Sequence, residues 1–143
     1  MFGCKDTTLH IAHVLRRLGK TINLITITPE MARLNKVAGY LNLQDYSELF
    51  KSIYIANSYS LKNLTDAEYF KQQSELALGL CIGWQRLLPS KILDSFKIGV
   101  FGMHGSSRNL PFGRGRSPLN WSIIEGRKWF VTNLFKYEND IDL

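Results

Sequence analysis

Residues 97–121, KIGVFGMHGSSRNLPFGRGRSPLNW, decide how the rest of the chain is read. The alternating apolar run Ile98 to Phe101 predicts a short buried strand ending at Gly102. His104 follows two residues later. A loop with three glycines, three arginines and two prolines then leads to Leu119 and Trp121. A histidine just past the carboxyl end of a strand sits where open α/β sheets place ligands and chemistry. A single loop histidine is more often a polar surface residue, so its neighbours must carry the reading.

Working outward, the segments alternate in type. The β-branched stretch Thr21 to Thr28, TINLITIT, predicts a strand. Thr28 and Pro29 then open a helix running to about Leu41. Before them, Asp6 or Thr7 caps a helix from Thr8 to Leu18, closed by Gly19. Residues 43–50 add a helical turn, and Ser52 to Ala56 make a third, short strand. Thr65 and Glu68 match a capping box for a helix over 66–74. Leu76 to Gly83, LALGLCIG, is a continuous apolar run that suits a central strand buried on both faces. Past the quoted stretch, a helix begins near Pro118 and a last strand covers Phe130 to Phe135. This alternation predicts a Rossmann-like parallel twisted sheet with right-handed crossovers and helices on both faces.

Composition narrows the class. The chain has 143 residues, 45% of them hydrophobic and 21% charged, enough for one domain with a core. No apolar run is long enough to span a membrane and no signal-peptide pattern opens the chain. Cys4 and Cys81 show no metal-type spacing. They predict reduced thiols in a cytoplasmic protein, with Cys81 in a buried strand. His10 and His13 lie i, i+3 on the first helix without an evident third ligand, so no metal site is proposed. No glycine fingerprint follows a strand, which argues against NAD or FAD. The net charge is +6, and the excess sits in one place: between Trp84 and Lys128 there are eight Lys or Arg and two acidic residues. A local basic field favours an anionic ligand.

The quoted stretch resembles the formyltransferase family, which moves a formyl group from 10-formyltetrahydrofolate to an amine. The residues carrying the resemblance are His104, Ser106, Leu110, Pro111, Arg114, Gly115, Pro118 and Trp121, in that order. GWQRLLP (83–89) is similar to the family's folate-side loop, and Asp140-Ile-Asp142-Leu143 to the start of its Asp-x-Gly motif. The resemblance implies one formyltransferase-like catalytic domain over 1–143. It implies 10-formyltetrahydrofolate as co-substrate, held by Trp84, Arg86, Leu87 and Leu88. It makes His104 the donor and proton handler, with Asp142 beside it, and no metal. Ser106, Arg114 and Arg116 would meet the acceptor, arginine being suited to phosphate. Family members that formylate methionyl-tRNA carry a basic insertion soon after the second strand. Here that strand runs straight into Pro29. The expected acceptor is therefore an anionic small molecule, an amino sugar on a nucleotide, with tRNA second and no membrane partner.

Two features depart from the family. The opening MFGCKDTT lacks a full first strand, Met1 and Phe2 reading as the tail of one, and the chain stops inside the Asp-x-Gly resemblance. Both ends are therefore expected to be cuts. The family's Asn, two residues before the histidine, is replaced by Gly102. Losing one preorganised oxyanion donor costs about 100- to 1000-fold in turnover. Three readings stay open: Asn109 or Asn120 substitutes, His104 and backbone amides suffice, or the domain is a weak or inactive folate-binding relative. A basic RNA-binding module is a further class. It is disfavoured because aromatic residues do not interleave with the GRGR run as stacking platforms require.

Overall fold

A computed structural model describes residues 1–73, 76–110, 112–115 and 117–139. It is a mixed α/β structure. In chain order its elements are α1 (Asp6–Arg17), β1 (Asn23–Thr26), α2 (Pro29–Leu34), a 3-10 helix (Leu43–Leu49), β2 (Ser52–Ile55), α3 (Leu64–Gln72), β3 (Leu78–Cys81), α4 (Ser90–Leu93), β4 (Gly99–Ser106), α5 (Pro118–Ile124) and β5 (Val131–Lys136).

The sheet is held together at its middle by three residues. β1 pairs in parallel with β2, and β3 in parallel with β4. Between β1 and β3 lies Phe2, bridged in parallel to Ile25 on one side and Cys81 on the other. Ile25 N–H donates to Met1 O at 2.8 Å and Gly3 N–H to Ile25 O at 3.0 Å. Phe2 N–H donates to Leu80 O at 2.7 Å, and Ile82 N–H returns to Phe2 O at 3.0 Å. The spatial order is thus β2, β1, Met1 to Gly3, β3, β4, β5.

Alternation along these strands divides the apolar side chains between two cores. Phe2, Ile25, Cys81 and Val100 pack with Ala32 of α2, Phe70 of α3, and Ile92 and Leu93 of α4. Met1, Leu24 and Leu80 pack instead with Ala12 of α1 and Leu43 of the 3-10 helix. Cys4 and Cys81 are free thiols, both buried. Among the described residues no helix is long and apolar enough to cross a membrane.

Several elements differ from the sequence reading. The sheet is not wholly parallel: β5 runs antiparallel to β4, with Val131 opposite Ser106 and Lys136 opposite Phe101. Seven residues of helix rise about 10 Å, whereas the eight residues of β4 span about 26 Å, so α5 by itself does not carry the chain back to the start of β4, and β5 enters from the end at which β4 finished. That pairing also prolongs β4 to Ser106, so the strand does not end at Gly102. Leu78 is 51% exposed, so β3 is not covered on both faces along its length. Helix α2 stops at Leu34 rather than Leu41, because Lys36 takes the left-handed region at φ 49°. The cap of α3 is Asn63, whose side chain accepts from Asp66 N, rather than Thr65. Helix α1 begins at Asp6, with Lys5 as its cap residue. Helix α4, anchored by Ile92 and Leu93, has only four residues, too few to show helical periodicity in sequence.

Candidate active site

The segment 82–89 is positioned from three sides. Gly83 has φ 75°, and a Cβ there would lie 2.5 Å from Thr8 Oγ1, so only glycine fits this turn. Thr8 Oγ1 donates to Ile82 O at 2.6 Å, and Cys4 N–H donates to Gly83 O at 3.3 Å. Gln85 N–H donates to the phenol oxygen of Tyr59 at 2.9 Å. The Arg86 guanidinium stands 5.3 Å from the Tyr59 ring centroid, in cation–π range. Tyr59 is itself held by its loop. Buried Asp66 accepts from Asn57 N and Ser58 N at 2.9 and 3.1 Å and from Tyr54 Oη at 2.8 Å.

Beside this segment lies a cavity of about 890 Å³, formed by the start of α1, residues 81–85, Met103 and Tyr137. Of the four residues expected on the folate side, Trp84 lines it. Its ring is buried against Tyr59 and Phe2, and its Nε1 has no hydrogen-bond partner among the described residues. Leu88 is buried in the core, while Arg86 and Leu87 are exposed beyond the cavity. A larger groove of about 1200 Å³ between α3 and α4 holds none of the candidate site residues.

His104 lies within β4, opposite Asn133 of β5, not in a loop after the strand. Its Nε2 is 2.9 Å from Gly113 O. A carbonyl can only accept, so Nε2 carries the proton and Nδ1 keeps its lone pair in the neutral ring. By strand alternation His104 shares a face with Gly102, and Met103, on the opposite face, lines the cavity. Ser106 is 1% exposed and its Oγ accepts from Arg108 N at 3.2 Å, so it organises the loop beneath Gly113. Arg114 is on the surface of that loop. Asn109 and Asn120 are both exposed and neither lines the cavity. Pro111, Arg116 and Asp142 lie outside the described residues.

Gly102 is the position at which an Asn was expected. A Cβ built there would lie 2.6 Å from Tyr137 Cε2 and 3.1 Å from Tyr137 Oη. The ring of Tyr137 fills the space that a side chain at 102 would need. Burial pushes the Tyr137 phenol far above its ordinary range, and it donates to Cys81 Sγ at 3.5 Å. The sequence motifs pointed to neither Tyr137 nor Tyr59. Each acts through a contact more than twenty residues away in the chain, which no local spacing encodes.

No family model matches the chain. Curated relatives match parts of it. A bifunctional polymyxin resistance protein, ArnA, of Wigglesworthia glossinidia brevipalpis is 34% identical over 83 residues, 57% of this chain and 12% of that protein. A methionyl-tRNA formyltransferase of Clostridium perfringens is 43% identical over 49 residues, 34% of this chain and 15% of that enzyme. Another, of Finegoldia magna, is 31% identical over 83 residues, 57% of this chain and 26% of that enzyme. The chain is similar in sequence to formyltransferases. The matched segments span about an eighth to a quarter of those relatives' length.

Proposed function

We propose that the chain carries formyltransferase chemistry, transferring a formyl group from 10-formyltetrahydrofolate to a primary amine on a Rossmann-like sheet. The observation that carries this reading is the similarity to methionyl-tRNA formyltransferases, joined to a strand-borne His104 with one ring nitrogen already fixed. The cavity has the volume for a flat heteroaromatic ring, and its lining includes Trp84, whose indole is buried against Tyr59 and Phe2. Of the residues expected on the folate side, Trp84 is assigned to that co-substrate, which supplies the activated formyl carbon.

His104 is the proton handler. With Nε2 committed to Gly113 O, Nδ1 is the basic nitrogen that takes the proton of the attacking amine and returns it to the leaving nitrogen. Asp142 is assigned as the carboxylate that orients the ring. Ser106, Arg114 and Arg116 belong to the acceptor side, Ser106 through its hold on the loop.

The favoured acceptor is an amino sugar on a nucleotide. Its support is the passage from β1 into α2, only Ile27 and Thr28, which leaves no room for a basic insertion. Methionyl-tRNA is the second reading, supported by the names of several relatives. The test is formyl transfer from 10-formyltetrahydrofolate to a panel of amino-sugar nucleotides and to methionyl-tRNA, with His104→Ala as control. Transfer to one acceptor that the substitution abolishes establishes the reaction. No transfer to any acceptor overturns it.

A further inference from the structure

The space over Gly102 is not empty, and what fills it carries a hydrogen-bond donor. Tyr137 follows β5, and its N–H is bound to Val100 O at 2.8 Å, which fixes its backbone beside the strand that carries His104. Its ring packs at 4.9 Å, centroid to centroid, on that of Phe135. Tyr137 lines the cavity together with Cys81, Gly83 and Met103. Its hydroxyl donates to the sulfur of Cys81 at 3.5 Å, and sulfur is a weak acceptor. The O–H is therefore ready to exchange sulfur for a better one.

We propose that Tyr137 supplies, from β5, the oxyanion-binding donor that a side chain at position 102 would otherwise supply from β4. Resting on the formyltransferase reading, the step balances as follows. The amine nitrogen bonds to the formyl carbon, and the bond from that carbon to N10 breaks. One proton passes from the amine through His104 to N10. Tyr137 keeps its proton throughout and donates a hydrogen bond to the formyl oxygen while that oxygen carries negative charge. Burial keeps the phenol protonated at all working pH values, so it serves as donor and not as base. Gly102 and Tyr137 are then one device. The glycine makes room for the ring, and the ring's hydroxyl replaces the amide.

Tyr137→Phe separates the donor from the packing, since it keeps the ring over Gly102 and deletes one oxygen. The expected result is a fall of about 100-fold in kcat with the melting temperature and the KM for 10-formyltetrahydrofolate little changed. A second variant, Gly102→Asn with Tyr137→Ala, moves the donor back to β4 and should recover activity relative to Tyr137→Ala alone. Wild-type transfer that Tyr137→Phe leaves unchanged overturns the inference and spares the formyltransferase reading. No transfer by the wild-type chain overturns both.

Discussion

The phenol oxygen of Tyr59 accepts the backbone N–H of Gln85 at 2.9 Å across 26 residues of sequence. This bond ties the loop after β2 to the segment after β3, and it sets where residues 83–89 lie against the cavity.

Tyr59→Phe should therefore act locally. It removes the acceptor while keeping the ring that packs on Trp84 and lies under Arg86. The expected loss of stability is about 1 kcal/mol, read by urea denaturation. Hydrogen exchange at the Gln85 amide should accelerate, while amides of β1 and β2 keep their protection.

Asp66 should prove more sensitive. It is fully buried, and its two oxygens accept from Tyr54, Asn57 and Ser58. Asp66→Asn turns one acceptor into an NH₂ group facing N–H donors. The expected cost is about 2–3 kcal/mol, the range of hydrogen bonds to a charged group with one left unmade. An unfolding midpoint equal to wild type would show that the 57–60 loop is held by other contacts.

Phe2 is the ring on which one core is built. It is fully buried and lies 5.6, 5.9 and 6.2 Å from the ring centroids of Phe70, Phe96 and Trp84. Phe2→Ala should cost about 3–5 kcal/mol through the cavity it leaves, and much of the chain's stability is of that size. Circular dichroism at ambient temperature should already show partial unfolding.

Alkaline pH should weaken the fold. Burial raises the Cys81 thiol from 9.0 to about 11, and raises the Tyr54 and Tyr59 phenols from 10.0 to about 12. The unfolded chain thus gives up these protons first. Stability is fully present below about pH 9 and is lost as pH rises through 11. Thermal unfolding followed from pH 8 upward should show a falling midpoint, and Cys81→Ala should remove the earliest part of the fall. Reaction of Cys81 with a thiol reagent should track unfolding rather than pH alone.

The strands and the first helix were legible because their residues satisfy local rules. TINLITIT is β-branched, and the periodic face of α1 ends at a glycine. The direction of β5 was not legible, since it is set by pairing with β4 across a 24-residue connection, which no local pattern encodes. The same limit applies around the candidate site. His104 and the 83–89 segment stood out through their motifs, but the placement of His104 inside β4 follows from pairing with β5, a non-local event. Gly102 read as a lost donor in sequence, because the ring that fills its place comes from 35 residues further on.

The three residues at the middle of the sheet also impose a timetable on folding. One of their flanks is β1 and the other is β3, whose last residue is Cys81. The β1–β2 pair can form as soon as Ile55 has emerged, and the β3–β4 pair needs Ser106. Met1 to Gly3 must stay unpaired on one side until Leu80 to Ile82 are available, and docking them there closes the longest loop between paired strands. The segment at the centre of the sheet is thus among the last to be fastened on both sides. Until it is, two half-sheets with open edges coexist, the state in which strands are exposed to wrong partners.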